Sequence, residues 1–250
     1  MARLPLLLLL PACITLQEVR EIPEVIAWSG DILDGPYSDD AGPYTGGTLT
    51  VTDLDGAPLL KSDGTDVSPP EETAEGYWFI YVPVDTDVQI RLSGDGYVNT
   101  VWQSHTPTGR AYWYTGALFA RTTEDTDALF SELVEAGLLA TTPGALADGA
   151  VTHLWGIPQT PEEWVGAQIS VTDGAGVSQP VLSFAVDETD GTVRLATAED
   201  PVAFFLATDL TPGEVSLQAT GADGRTATLR WLCAGGDLLH PVFLALSESP

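Results

Sequence analysis

Positive charge is what this chain has least of. Its 250 residues include one lysine, Lys61, and Lys and Arg together number 9 against 36 Asp and Glu, a net charge of −27. Phosphate backbones and anionic lipid surfaces are held by clusters of basic side chains, so nucleic acid and polybasic membrane adhesion are both excluded. Cysteine is nearly as scarce: Cys13 and Cys233 are too few for a structural zinc site. The three histidines, His105, His153 and His240, lie far apart without paired-ligand spacing. No Gly-x-Ser-x-Gly elbow, phosphate-binding loop or dinucleotide fingerprint occurs. The sequence therefore assigns no catalytic residue, cofactor or metal ligand, and the chain is read as not an enzyme.

What is present suits a folded, strand-rich protein. Apolar residues make up 44% of the chain, enough for one large core or two small ones, which argues against disorder. Twenty-five Gly and eighteen Pro are too many for a helical bundle and fit short strands joined by tight turns.

The N-terminus reads as an export signal. Arg3 precedes the unbroken leucine run Leu6 to Leu10, which falls well short of the ~20 apolar residues needed to span a bilayer. Leu10, Pro11, Ala12 and Cys13 follow, and they resemble the lipobox of bacterial lipoproteins, with Pro11 where a small or β-branched residue is usual. The resemblance implies that residues 1–13 are signal and lipobox, that Cys13 becomes the acylated mature N-terminus, and that the chain is held in the bacterial envelope, at the outer membrane or cell surface. Two acyl chains anchor stably where one holds only marginally. A disulfide between Cys13 and Cys233 is the other reading of the same two cysteines.

Beyond a tether over residues 14–27, one unit occurs twice. Gly47 to Asp53 alternates apolar and polar residues and runs into a turn ending at Gly56, and Ala167 to Asp173 repeats the pattern with its turn at Gly176. Trp78 to Pro83 matches Ala203 to Thr208, and Val88 to Gly94 matches Val215 to Gly221. The offset grows from 120 to 127 residues, as one longer loop in the second copy would produce. Alternation places Leu49, Val51, Val88, Ile90 and Leu92 on buried faces and sends Gln89 and Arg91 to water. Sheets with one apolar face must cover it, so each copy packs as a sandwich of roughly 80 to 100 residues.

The order of these parts resembles the carboxypeptidase-regulatory-like, or prealbumin-like, family of β-sandwich domains. The residues that carry it are Gly46 to Val51, Trp78 to Pro83 and Ser93 to Tyr97, and in the second copy Gly166 to Val171, Phe204 to Leu206 and Thr220 to Gly224. The resemblance implies a mainly β fold of two tandem prealbumin-like β-sandwiches joined by a short amphipathic helix. The first sandwich is expected over residues 28–104, a helical connector over 105–150 and the second sandwich over 151–250. In the connector Asp125 or Thr126 is placed to cap a helix and Gly137 to end it, with Leu129, Phe130, Leu133 and Val134 on one stripe.

These features point to a non-catalytic, lipid-anchored envelope or surface module with a binding or structural role. Its expected partners are the membrane through the lipid, and a glycan or envelope protein. The Asp-Gly turns at Asp34, Asp53, Asp55, Asp63 and Asp66 offer oxygen ligands to calcium, but none has a closing glutamate, and they are read as hairpin turns. Glu162 and Glu163 read as a solvated loop. The alternative is a carbohydrate-binding module, because Tyr77, Trp78, Phe79, Tyr97, Trp102, Tyr112, Trp113 and Tyr114 crowd the first copy and some rings must face outward. That reading sends binding through Trp78 and Trp113; the competing one covers the rings with the Leu129–Val134 stripe. The −27 charge repels itself, so the melting temperature should rise between low and moderate salt; a fall would contradict this.

Overall fold

The computed structural model describes residues 25–34, 42–44, 47–60, 71–72, 76–187 and 189–247. Cys13 lies outside them, as do Lys61, Asp63 and Asp66. The first half forms β1 (Val25–Asp34), β2 (Gly42–Pro43), β3 (Thr48–Thr52), β4 (Glu71–Glu72), β5 (Tyr77–Pro83), β6 (Asp87–Ser93), β7 (Asn99–His105) and β8 (Tyr112–Ala120). Helix α1 (Thr123–Glu135) follows. The second half forms β9 (Thr152–Pro158), β10 (Gln168–Thr172), β11 (Ser178–Gln179), β12 (Leu182–Val186), β13 (Val193–Leu195), β14 (Phe204–Leu210), β15 (Gly213–Thr220), β16 (Thr226–Cys233), β17 (Asp237–Leu239) and β18 (Val242–Leu244).

The strand pairing repeats with the sequence. β3 pairs antiparallel with β6 and β6 with β7, as β10 pairs with β15 and β15 with β16. β1 pairs antiparallel with β5 and parallel with β8, as β9 pairs antiparallel with β14 and parallel with β18. The turns repeat atom for atom. Asp53 Oδ1 accepts the N–H groups of Asp55 and Ala57 at 2.9 and 2.8 Å, and Asp173 Oδ1 accepts those of Ala175 and Val177 at 3.0 and 2.9 Å. Each turn closes on a glycine in the left-handed region, Gly56 at φ +79° and Gly176 at φ +76°, where a Cβ would be strained. Of the candidate calcium ligands, Asp53 thus spends one carboxylate oxygen on backbone N–H groups, and Asp55 lies 3.4 Å from Arg230.

Each copy is a sandwich, and the two share a wall. A nine-stranded sheet runs β13-β12-β14-β9-β17-β7-β6-β3 with β18 beside β9, so strands of both halves lie in one hydrogen-bonded layer. The sheet around β1 and β5 covers one face of its first-copy end, enclosing Trp28, Trp78, Ile90, Leu92 and Trp102. The sheet β11-β10-β15-β16 covers the second-copy end and encloses Leu154, Phe205, Leu217 and Trp231. β7 belongs to both: Trp102 packs in the first core, and its neighbour Val101 packs in the second.

That junction corrects the expectation that Gln89 and Arg91 face water. The edge of β16 lies over the outer face of β6 and β7. Gln89 is only 4% exposed; its amide donates to Leu232 O at 3.1 Å and accepts the Leu232 N–H at 3.3 Å, while Gln103 accepts the Arg230 N–H at 2.9 Å. The side-chain amides stand in for a neighbouring strand at an edge that would otherwise be unpaired. Arg91 pairs with Asp237, whose side chain is fully buried and whose pKa burial pushes up despite that partner.

The segment between the sandwiches is shorter than 105–150, because β8 is a strand of the first sandwich, and β1 already begins at Val25. Helix α1 is capped by Thr122, not Asp125 or Thr126: Thr122 Oγ1 accepts the Asp125 N–H at 2.9 Å. Gly137, at φ +70°, ends it as expected. Phe130 and Leu133 bury against Val98, Leu146, Trp155 and Leu238, so the helix covers the face of the nine-stranded sheet that the second sandwich leaves bare. Arg121, just before it, lies 3.9 Å from the Trp155 ring centroid in a cation–π contact.

If β7 welds the two cores, Val101→Ala should lower stability by about 1.5–3 kcal/mol through lost burial and a residual cavity. Calorimetry should show one transition that shifts as a whole; a second transition left unmoved would contradict the shared wall.

Candidate functional site

The aromatic residues of the first copy divide by strand alternation. Trp28, Trp78 and Trp102 are buried. Trp28 stacks on Trp113 at 5.3 Å and meets Trp78 edge-on at 5.1 Å, so these rings are core. Trp78 and Trp113 are therefore not the outward residues that the carbohydrate reading required. Tyr97 packs on Tyr44 at 4.5 Å, away from that face.

The outward side of β1, β5 and β8 carries Tyr77, Phe79, Tyr81 and Tyr112, and the Tyr114 side chain is outside what the structure describes. Tyr81 and Tyr112 are 54% and 52% exposed, and Phe79 is half-buried with its ring edge-on to Tyr81 at 4.8 Å. The register explains the grouping: Ala27 on β1 lies opposite Tyr81 on one side and Tyr112 on the other, Ser29 opposite Phe79, and Asp31 opposite Tyr77. A methyl group between two phenols leaves the row open above it. Ser29 is fully buried, and its Oγ lies 2.7 Å from Tyr112 Oη. The Tyr112 side chain therefore reaches across from β8 to β1. Hydrogen bonds from Ser29 and then Tyr77 lower the Tyr112 phenol pKa. For Tyr77 the Ser29 bond also lowers it, but the bond to Tyr112, burial and the nearby Tyr112 and Asp31 charges outweigh this and raise it.

The same face of the second copy is closed. Trp155 on β9 and Phe204 and Leu206 on β14 pack beneath Phe130 and Leu133 of α1. The helix stripe thus covers the second copy's rings, not the first copy's. Helix-covered positions carry apolar side chains, whereas the first copy's exposed positions carry phenols, whose hydroxyls tolerate water.

Most other side chains able to do chemistry are built into the framework. His153 Nδ1 accepts the Asp209 N–H at 3.1 Å, which leaves Nε2–H to donate to Gly144 O at 2.9 Å. His240 is fully buried and its Nδ1–H donates to Trp155 O at 2.8 Å. Burial, and then the Arg121 charge, pushes His240 down to about 3; burial lowers His153 as well. His105 is exposed between Asp87 at 2.9 Å and Asp85 at 3.2 Å. Glu163 pairs with Arg225 at 3.2 Å. Cys233 is a buried thiol that burial makes less acidic, donating to Gly213 O at 3.2 Å. Among the described residues no group of three or more His, Cys, Asp or Glu is arranged to hold a metal ion.

The chain matches no protein-family model and no curated protein. Among solved structures it is similar to BcpA, the major pilin subunit of Bacillus cereus, at 10% identity over 85% of this chain and 69% of that one, with a TM-score of 0.26. It is also similar to CBMbc (family CBM26) of Eubacterium rectale Amy13K, in complex with maltoheptaose, at 12% identity over 88% and 93% of the two chains and a TM-score of 0.23. The major pilin protein T-13 of Streptococcus pyogenes is a third, at 9% identity over 91% and 98% and a TM-score of 0.22. TM-scores this low support no transfer of fold or function.

The buried histidines set a pH response. Below an unfolded-state pKa of about 6.5 the unfolded chain takes up protons that the folded imidazoles refuse, so acid favours unfolding. For His240 this loss continues as the pH falls toward about 3, and Asp173, held at about 2 first by the Val177 N–H, adds to it as the pH falls from the unfolded carboxyl value of about 3.9 toward 2. Between pH 7 and 5.5 the two buried histidines should lower the melting temperature, each contributing up to about 1.4 kcal/mol per pH unit, with Asp237, whose pKa burial raises, acting in the opposite direction. A flat or rising melting temperature there would rule this out.

Proposed function

We propose that this chain is an exported bacterial envelope module, anchored by lipid on Cys13, whose folded part binds or displays and does not catalyse. The observation that carries the binding role is the open phenolic face of β1, β5 and β8, at the position the second copy covers with a helix. Supporting the non-catalytic reading, His153, His240, Cys233 and Glu163 each have a structural partner. The anchor rests on the leucine run and the lipobox-like residues Leu10 to Cys13. A second reading, carbohydrate binding, is favoured by the half-exposed rings of Tyr81 and Tyr112.

Mass spectrometry of the mature N-terminus tests the anchor. The expected product begins at Cys13 with the added mass of a diacylglycerol, and Cys13→Ser should move the protein from the membrane to the soluble fraction. Cleavage elsewhere, or an unmodified Cys13, would end the lipoprotein reading.

A further inference from the structure

We propose that the outward face of β1, β5 and β8 is a stacking platform for the pyranose rings of an uncharged polysaccharide, with Tyr112 and Tyr81 as the ring contacts. This names the ligand class of the binding role proposed above and does not depend on the anchor.

A pyranose has an apolar, weakly positive C–H face and a rim of hydroxyls. It is matched by an aromatic ring lying flat, whose π face is negative, with hydrogen-bonding groups around it. Tyr112 meets the first requirement, because its hydroxyl is tied to the buried Ser29 and its ring is still half exposed. Tyr81 supplies a second exposed ring across the small Ala27, about two strand spacings or ~10 Å away. The rim is supplied by the phenol hydroxyl of Tyr81 and by Tyr77 with its register partner Asp31.

Size and charge select against other occupants. A fully buried aromatic side chain removes about 150–250 Å² from water, so half-exposed Tyr81 and Tyr112 with Phe79 offer a few hundred Å² at most. A stable protein partner needs about 800 Å² per side. No outward position of β1 or β5 is basic, and with −27 on the chain an anionic glycan would be repelled. Pinning Tyr112 through Ser29 also lowers the ordering cost of binding, making Ser29 a positioning residue.

Affinity electrophoresis of the full chain through gels containing starch, xyloglucan or β-mannan, with polygalacturonate as the charged control, tests the proposal. At least one uncharged gel should retard the protein and polygalacturonate should not. Tyr112→Ala and Tyr81→Ala should each weaken retardation about tenfold without moving the melting temperature. Tyr112→Phe keeps the ring but loses the Ser29 bond and should cost only a few-fold. If Tyr112→Ala unfolds, Tyr81→Ala and the change in tyrosine fluorescence of the unaltered chain on adding the retarding polysaccharide carry the test. Retardation by no uncharged polysaccharide, or retardation indifferent to all three substitutions, overturns it. Absent retardation with a lipidated Cys13 ends this inference alone, and retardation with an unmodified Cys13 ends only the anchor.

Discussion

The fold depends on one strand that has a core on each side. In β7, Trp102 closes the first sandwich and the adjacent Val101 closes the second, so neither core is complete without the other's wall. From that constraint the rest of the junction follows. A strand buried on both faces cannot leave its neighbour β6 half in water, and Gln89 and Arg91 are drawn into contacts with Leu232 and Asp237. A buried carboxylate with one cationic partner is costly to ionise, which is why Asp237 titrates upward even beside Arg91. Short β17, inserted between β7 and β9 and parallel to both, joins the two halves into a single layer.

Duplication then supplies an internal comparison. The two copies share strand order, the Asp53 and Asp173 turns, and a left-handed aspartate near the end of the corresponding strand, Asp85 at φ 53° just beyond β5 and Asp209 at φ 56° within β14. They differ in what lies over the sheet opposite the sandwich interior. In the second copy α1 sits on Trp155, Phe204 and Leu206; in the first, no helix among the described residues lies over Phe79, Tyr81 and Tyr112. One sheet face that is dry in one copy and wet in the other accounts for Tyr81 standing where the second copy has Leu206, while Phe79 and Phe204 correspond. A binding role is proposed for the wet face because that difference is specific to it.

Much of this was legible in the residue pattern, for identifiable reasons. Period-two alternation fixed which side of β5 each ring takes, so some outward aromatic was required once Trp78 pointed inward. The repeated Asp-x-x-Gly turns marked the duplication because a tight turn needs both an acceptor for its N–H groups and a glycine at positive φ. The same alternation misled at Gln89 and Arg91, since it reports two faces and not what a distant segment lays across the polar one. Helix capping misled by three or four residues because Thr122, Asp125 and Thr126 are all competent cap types, and it is Thr122 that accepts the Asp125 N–H.

Strand character, the duplication, the strong acidity and the lipobox-like residues Leu10 to Cys13 are all readable along the chain, because each depends on residues close together in it or on simple totals. The packing of distant segments sets the shared sheet of the two sandwiches, the cover of α1 over the second copy's rings, and the contact of Ser29 on β1 with Tyr112 of β8. Those outcomes depend on contacts between separate segments, as far apart as 83 residues for Ser29 with Tyr112 and 146 for Arg91 with Asp237, and local periodicity contains no term for such pairings.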